Sequence, residues 1–305
     1  AGEALISRTS ASFLAVLSLV GFSLAPFTPH LSKPIRIPSR RLDFLRSPRH
    51  VHLRRSRWRA HADAPPLKET SYSLLGLSKA TYPDGWEKPE GRVEYRDSLI
   101  DRFLIGIFMD KMASATGAKR GDNTYEDFIK LCFESIRQKN ASEQVQQSLD
   151  VLQTFLPPNG DVAFKKMFPK GKGSYELNAE ITKVGFAWMV GPMTVETTTE
   201  NDEGVPMAST VKIHKCRWLQ ESACTGMCCN MCKLPTQKFF TETFGLPLTI
   251  RPNFEDKSCE FCFGLTPPPI KDDPTYLQPC HVRCPTAKLS EDDGLLPCHK
   301  LMTPE

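Results

Sequence analysis

Between positions 93 and 112 apolar side chains return every fourth residue along two adjacent lines. Leu99, Phe103 and Ile107 form one and Ile100, Leu104 and Phe108 the other, which predicts an amphipathic helix with a wide apolar stripe. Gly117 and Gly121 end it. A second helix starts after Asn123 or Thr124, both good N-caps, and places Phe128, Ile129, Cys132 and Ile136 on one face. A third runs from Ser142 through Val145, Leu149, Leu152 and Phe155, with Glu143 in its first turn and Pro157-Pro158 as its stop. A fourth is predicted over Tyr175 to Val190, closed by Gly191-Pro192.

Beyond Gly191 the period changes. The β-branched run at 194–199 and the alternating segment Ser209 to Cys216 flank Asn201-Asp202-Glu203-Gly204, the pattern of a hairpin. The fold class that follows is α+β: an N-terminal helical half packed against a small antiparallel sheet, followed by a cysteine-rich loop region. Residues 64–89, rich in Pro, Gly and Ser, read as linker and turn. The division expected is therefore 1–61 as a leader, 62–92 as linker, 93–286 as the domain with its cysteine-rich region at 216–286, and 287–305 as a tail.

Charge sharpens this division. Residues 1–61 carry eleven Lys/Arg against Glu3 and Asp43, whereas 62–305 carries 28 basic and 33 acidic residues. The acid-poor, Ser- and Arg-rich leader has the composition of an organellar transit peptide. The apolar run Phe13 to Phe27 also suits a secretory signal, but it is short for a membrane span and an Arg-rich tail follows it. The mildly acidic body has no basic stripe interleaved with aromatics, which argues against nucleic acid as a partner.

Five of eleven cysteines fall within Cys216 to Cys232. Cysteines buried as small hydrophobes scatter, whereas this recurrence suggests thiolates converging on a metal. Cys224, Cys228 and Cys232 give C-x3-C-x3-C, with Cys216 or Cys259 as a fourth ligand. Cys224, Cys229 and Cys232 give the C-x4-C-x2-C spacing of plant-type iron–sulfur proteins, with Cys259 distant. Cys229-x2-Cys232 with Cys259-x2-Cys262 would make a zinc knuckle. These readings stay open. A helix opening at Asn230 would favour the thiolate of Cys228 and Cys229. Cys280 and Cys284 form a second ligand pair or a clasp. His214 and Cys132 read as an ordinary strand residue and a core thiol. Disulfides fit less well, because eleven is odd and an organellar matrix keeps thiols reduced.

Several longer segments carry a family resemblance. Val190-Gly191-Pro192, C-R-W-L at 216–219, C-T-G-M-C-C-N-M-C-K-L-P-T-Q-K-F-F at 224–240, P-N-F-E-D-K-S-C at 252–259, F-G-L-T-P-P-P at 263–269 and P-C-H-V-R-C-P at 279–285 resemble the plastid β-carotene isomerase family of plants and algae. The likeness covers residues 95–286. It implies a chloroplast enzyme that contains iron and interconverts all-trans and 9-cis β-carotene at the start of strigolactone biosynthesis. Cys229 and Cys262 depart from the expected pattern and put the ligand set in question.

Rotation about a conjugated C=C bond needs its bond order lowered for a moment, which a redox-active iron centre, mononuclear or iron–sulfur, supplies without net oxidation. The carotenoid substrate calls for an elongated apolar groove. Phe103, Phe108, Phe186, Trp188, Phe239, Phe240 and Phe261 are the candidates to line it, and exposed apolar surface would give peripheral contact with plastid membranes. The competing function is a non-catalytic plastid binding module whose cysteines hold structural zinc.

Overall fold

The computed structural model describes residues 69–277, apart from 73, 74 and 89. The leader, Cys280, Cys284 and the tail lie outside the described residues. The chain opens with three antiparallel strands, β1 (Glu69–Tyr72), β2 (Ser78–Thr81) and β3 (Glu94–Arg96), paired in that order. The turn-rich composition of 64–89 hides two of these strands. What fixes them is Tyr72, Ala80, Tyr82 and Val93, all buried.

Helix α1 (Leu99–Thr116) begins later than its apolar period suggests, because Ser98 caps it: the Ser98 hydroxyl accepts the Asp101 N–H, and the Asp101 carboxylate accepts the Ser98 N–H. Ser78 of β2 also bonds the Asp101 carboxylate, fastening the first sheet to this helix end. Gly117, at φ 72°, ends α1 in the left-handed conformation that glycine adopts without penalty. Helix α2 (Tyr125–Gln138) has Thr124 as its cap and buries the expected stripe of Phe128, Ile129, Cys132 and Ile136. Helix α3 (Ala141–Gln153) is capped by Asn140 and Glu143 together, slightly ahead of the expected start at Ser142.

A short helix, α4 (Gly160–Met167), follows the diproline and has no counterpart among the expected elements. The long helix expected over 175–190 is two pieces, α5 (Lys172–Gly185) and α6 (Ala187–Val190), with Phe186 at φ −116°, ψ 6° between them. That break turns Phe186 and Trp188 towards the same interior.

The hairpin is present as β4 (Met193–Thr198) and β5 (Met207–Ile213). Two further strands, β6 (Leu248–Pro252) and β7 (Cys259–Phe263), complete a four-stranded antiparallel sheet in the order β4-β5-β7-β6. Between β5 and β6 the expected cysteine-rich loop is helical. It comprises α7 (Arg217–Ser222), a π-helical segment (Met227–Lys233), α8 (Leu234–Lys238) and a second π-helical segment (Phe239–Thr243). The α+β class stands: α3, with α2 beside it, packs along the helical rod, α5 packs across β5, β4 and β7, and β6 meets the rod from the sheet side.

Candidate functional site

Helices α1, α3 and α5, the α5–α6 break and the rod at 227–243 enclose a cavity of about 270 Å³. Its wall is almost wholly apolar. Six of the seven aromatics expected to line a groove are on it: Phe108, Phe186, Trp188, Phe239, Phe240 and Phe261. Phe103 is not, being 57% exposed on the outside of α1. The reason is angular: Phe103 and Phe108 are five residues apart, about 140° around a helix, so Leu104 and Phe108 face inward together.

The rings brace one another. Phe108 meets Phe155 at 4.4 Å and Trp188 at 5.1 Å between centroids, and Phe164 stacks on Phe244 at 3.8 Å. The sequence does not single out Phe155, Phe164 or Phe244 for the wall; Phe155, expected on the stripe of the third helix, lies in the turn after α3, which ends at Gln153.

Cys232 and Cys132 also line this cavity. Cys132 is a core thiol as expected, pushed up by burial alone. Cys232 joins the cavity to the sulfur-rich side of the rod. Its thiol is pushed up to about 12, by burial first and then by the nearby Cys216 and Cys229, against the pull of Lys233. Cys228 is held well above the ordinary range by burial and then by Cys229, Cys232, Cys259 and Cys216; Cys259 is raised by burial and by Cys216 and Cys232. Cys228 is thus within electrostatic reach of the other four sulfurs, and Cys232 and Cys259 of Cys216. The Cys224 sulfur accepts the N–H of Met227 at 3.4 Å.

Two expectations need correction. Asn230 does not open a helix: it lies inside the π-helical segment and donates to Gln144 Oε1 at 2.8 Å. No helix dipole therefore lowers Cys228, and desolvation decides its protonation. Cys259 and Cys262 are three residues apart on a strand, so they leave opposite faces of β7. Cys259 points with Phe261 towards the rod, while Cys262 pairs with Thr210 and Thr249 on the other side. The four sulfurs of the expected zinc knuckle do not meet.

Among the described residues, no three His, Cys, Asp or Glu side chains come together in a way that holds a metal ion, and Cys132, Cys216, Cys228, Cys232, Cys259 and Cys262 are thiols. The donor chemistry of Cys216, Cys228, Cys232 and Cys259, gathered on one side of the rod, suits a soft metal, and no step below is routed through one. His214, expected on the strand, stands one residue past the end of β5 and contacts Thr194 across the hairpin.

One test follows from the burial. In metal-free protein at neutral pH, Cys216, Cys228, Cys232 and Cys259 are expected to stay protonated and resist alkylation until the chain is unfolded, as mass-spectrometric mapping of labelled sites will show. Rapid labelling of Cys228 in the native state would contradict it.

Two buried cations anchor this assembly. Arg217, the first residue of α7, is buried and bidentate to Asp97 at 2.6 and 2.9 Å. It also donates to the Trp188 carbonyl and lies 3.8 Å from the Tyr125 ring. Lys233, on the rod, is buried against Asp273 at 2.8 Å and bonds the Ile250 carbonyl.

Residues 188–272, from α6 through the second sheet and the whole thiol-bearing rod, match the family model described as β-carotene isomerase D27-like, C-terminal. The chain is 34% identical over 194 residues to β-carotene isomerase D27, chloroplastic, of Medicago truncatula, an alignment covering 64% of this chain and 76% of that one. It is 35% identical over 194 residues to the Arabidopsis thaliana protein of the same name, covering 63% and 73%.

The chain belongs to the β-carotene isomerase D27 family. As a member it is an isomerase, and a chloroplast protein. No solved structure matches it. The D27-like match ends at Asp272, so it takes in Phe239, Phe240 and Cys232 of the cavity wall, whereas α1, α3 and α5 lie outside it.

Proposed function

We propose that the protein isomerises a C=C bond of a carotenoid, converting all-trans-β-carotene to 9-cis-β-carotene at the start of strigolactone biosynthesis. The observation that carries this reading is the aromatic cavity with the Cys232 thiol in its wall, in a family whose named relatives are β-carotene isomerases. A volume of about 270 Å³ lies just below the range of pockets that swallow drug-sized ligands. It suits a segment of a long polyene, with the remainder outside.

The protein's own contribution is enclosure and positioning. Phe108, Phe186, Trp188, Phe239 and Phe240 offer faces and edges on which a flat polyene stacks, and they exclude water from any electron-deficient state along the rotation. Braced rings also limit how far the chain ends can swing, which favours rotation about a chosen bond.

Iron is part of the proposal on donor chemistry and family resemblance, with thiols from Cys216, Cys224, Cys228, Cys232 and Cys259 as its ligands; when bound, such a centre would supply the transient change in electron count. Anaerobically purified protein is expected to contain iron and absorb visible light. Cys→Ser at 216, 228 or 232 is expected to remove most of the metal. Full iron content in all three variants would overturn this assignment, and a colourless zinc protein would favour the binding-module reading.

The decisive experiment is incubation with detergent-dispersed all-trans-β-carotene and chromatographic analysis for the 9-cis product. Absence of isomerised product from folded, metal-replete protein would sink the reading. Cys232→Ser is expected to lower turnover at least about tenfold, or about 1.4 kcal/mol of transition-state stabilisation, while the carotenoid absorption shift on binding is retained. Equal losses of binding and turnover would make Cys232 a wall residue only.

A further inference from the structure

Resting on that reading, the substrate is a hydrocarbon that partitions into bilayers rather than water, so the protein has to meet a membrane. Among the described residues no helix is long and apolar enough to cross one. Docking at the surface needs exposed apolar side chains set among basic ones.

Two parts of the surface expose large apolar residues in groups. The first comprises Leu75, Leu77, Leu99 and Phe103, around the Ser78–Asp101 bond. Its cations Lys79, Arg96 and Arg102 are interspersed with acids: Lys79 is paired with Glu69, and a second row of the same small sheet carries Glu69 and Glu94. The patch does not border the cavity, since Phe103 is on the outside of α1.

The second is α4. Its Phe164 is buried in the cavity wall and stacks on Phe244, so the helix is itself a rim of the cavity. On the side opposite Phe164, Val162 is 60% exposed between the exposed Lys165 and Lys166. Met167 is 40% exposed, and the turn that follows adds the exposed Lys170. Among the described residues none of these three lysines makes an ion pair. Asp161 is the one acid on α4, and the neighbouring Glu176 is matched by Lys172 at 3.8 Å. An exposed apolar tip at Val162, positive charge on both sides of it and direct continuity with the cavity thus coincide here.

We propose that α4 and the basic turn after it are the surface through which the protein docks on an anionic lipid bilayer, with the carotenoid passing beside Phe164 into the cavity. Val162, flanked by Lys165 and Lys166, enters the headgroup boundary. Lys165, Lys166 and Lys170 pair with lipid phosphates or other anionic headgroups.

The test is co-sedimentation of the full chain with vesicles of phosphatidylcholine alone or with added phosphatidylglycerol. Binding to the anionic vesicles, weak on the neutral ones and declining with salt, is expected. Charge reversal at Lys165→Glu, Lys166→Glu and Lys170→Glu together is expected to weaken that binding about a hundredfold. Neutralisation of the same three lysines to Gln should give an intermediate loss. Turnover of detergent-dispersed carotenoid should stay as in the parent protein, while turnover of vesicle-embedded carotenoid falls with binding.

Failure of the parent protein to bind anionic vesicles, or undiminished binding by the reversed variant, overturns the proposal. So does loss of binding in Leu99→Ser with Phe103→Ser while the lysine variant binds normally, since docking would then lie at the other patch. Vesicle binding with no isomerised product in detergent would leave the docking surface standing and remove the isomerase reading.

Discussion

Arg217→Ala is expected to cost about 3–5 kcal/mol of folding stability, the penalty for breaking a buried ion pair from one side. Asp97, its side chain only 14% exposed, would keep its charge and lose both guanidinium bonds. Burial works against the Arg217 charge, yet Asp97, with Tyr125 and Tyr72, holds the guanidinium more firmly protonated than a free arginine. The planar group is also sandwiched near the Tyr125 ring at 3.8 Å and the Tyr95 ring at 4.7 Å, contacts an alanine removes outright. Denaturant unfolding checks the effect. Arg217→Met combined with Asp97→Leu should recover much of the loss, because no charge is then stranded. A midpoint unchanged in Arg217→Ala would mean that the pair is not formed in solution. The Arg217 bond to the Trp188 carbonyl ties this pair to the cavity wall, so Arg217→Ala should also blunt turnover at temperatures where it remains folded.

Ile181→Trp is expected to reduce carotenoid turnover about a hundredfold with little change in stability, since misplacing a substrate by a small distance carries a penalty of that order. Ile181 is half-buried on α5 and faces the cavity. The indole would occupy space now open, so the usual overpacking penalty is largely avoided. Ile181→Leu, which conserves volume, should behave as the parent. The variant separates a cavity that holds the substrate from one that is incidental to the core. Unimpaired turnover with the cavity filled would place the chemistry elsewhere.

How much of this was legible beforehand depended on the local physics of each segment. Helices α1 to α3 announce themselves, because their apolar residues follow a 3.6 period and Ser98, Thr124 and Asn140 supply caps. Strands β6 and β7 do not: both faces of β7 are buried at Cys259, Phe261, Cys262 and Phe263, which erases the alternation that identifies a strand. Strands β1 and β2 are four residues each, too short for a period to emerge from turn-rich surroundings.

The clustering of cysteines was visible, whereas their geometry was not. A spacing of three means neighbours on a helix and opposite faces on a strand, so Cys229/Cys232 and Cys259/Cys262 carry the same motif with different outcomes. The segment that bears Cys228, Cys229 and Cys232 looked like a loop because a π-helix matches neither familiar period. The aromatic wall was readable in part, through the residues on inward phases, and misread at Phe103, which sits on the wrong side of α1.

Those wide turns at Met227–Lys233 and Phe239–Thr243 have an evolutionary corollary. Each holds slack that a single-residue deletion could take up by tightening into an ordinary coil. Backbone hydrogen bonding would survive such a deletion, and because the lost residue is the one that widens the turn, side chains beyond it would keep their directions. A relative shortened by one residue near Cys229 would then fold with Phe239 and Phe240 still in the wall and display its sulfurs differently. Length variation at this spot is therefore a route by which one scaffold alters its thiol-bearing face while the chamber keeps its shape.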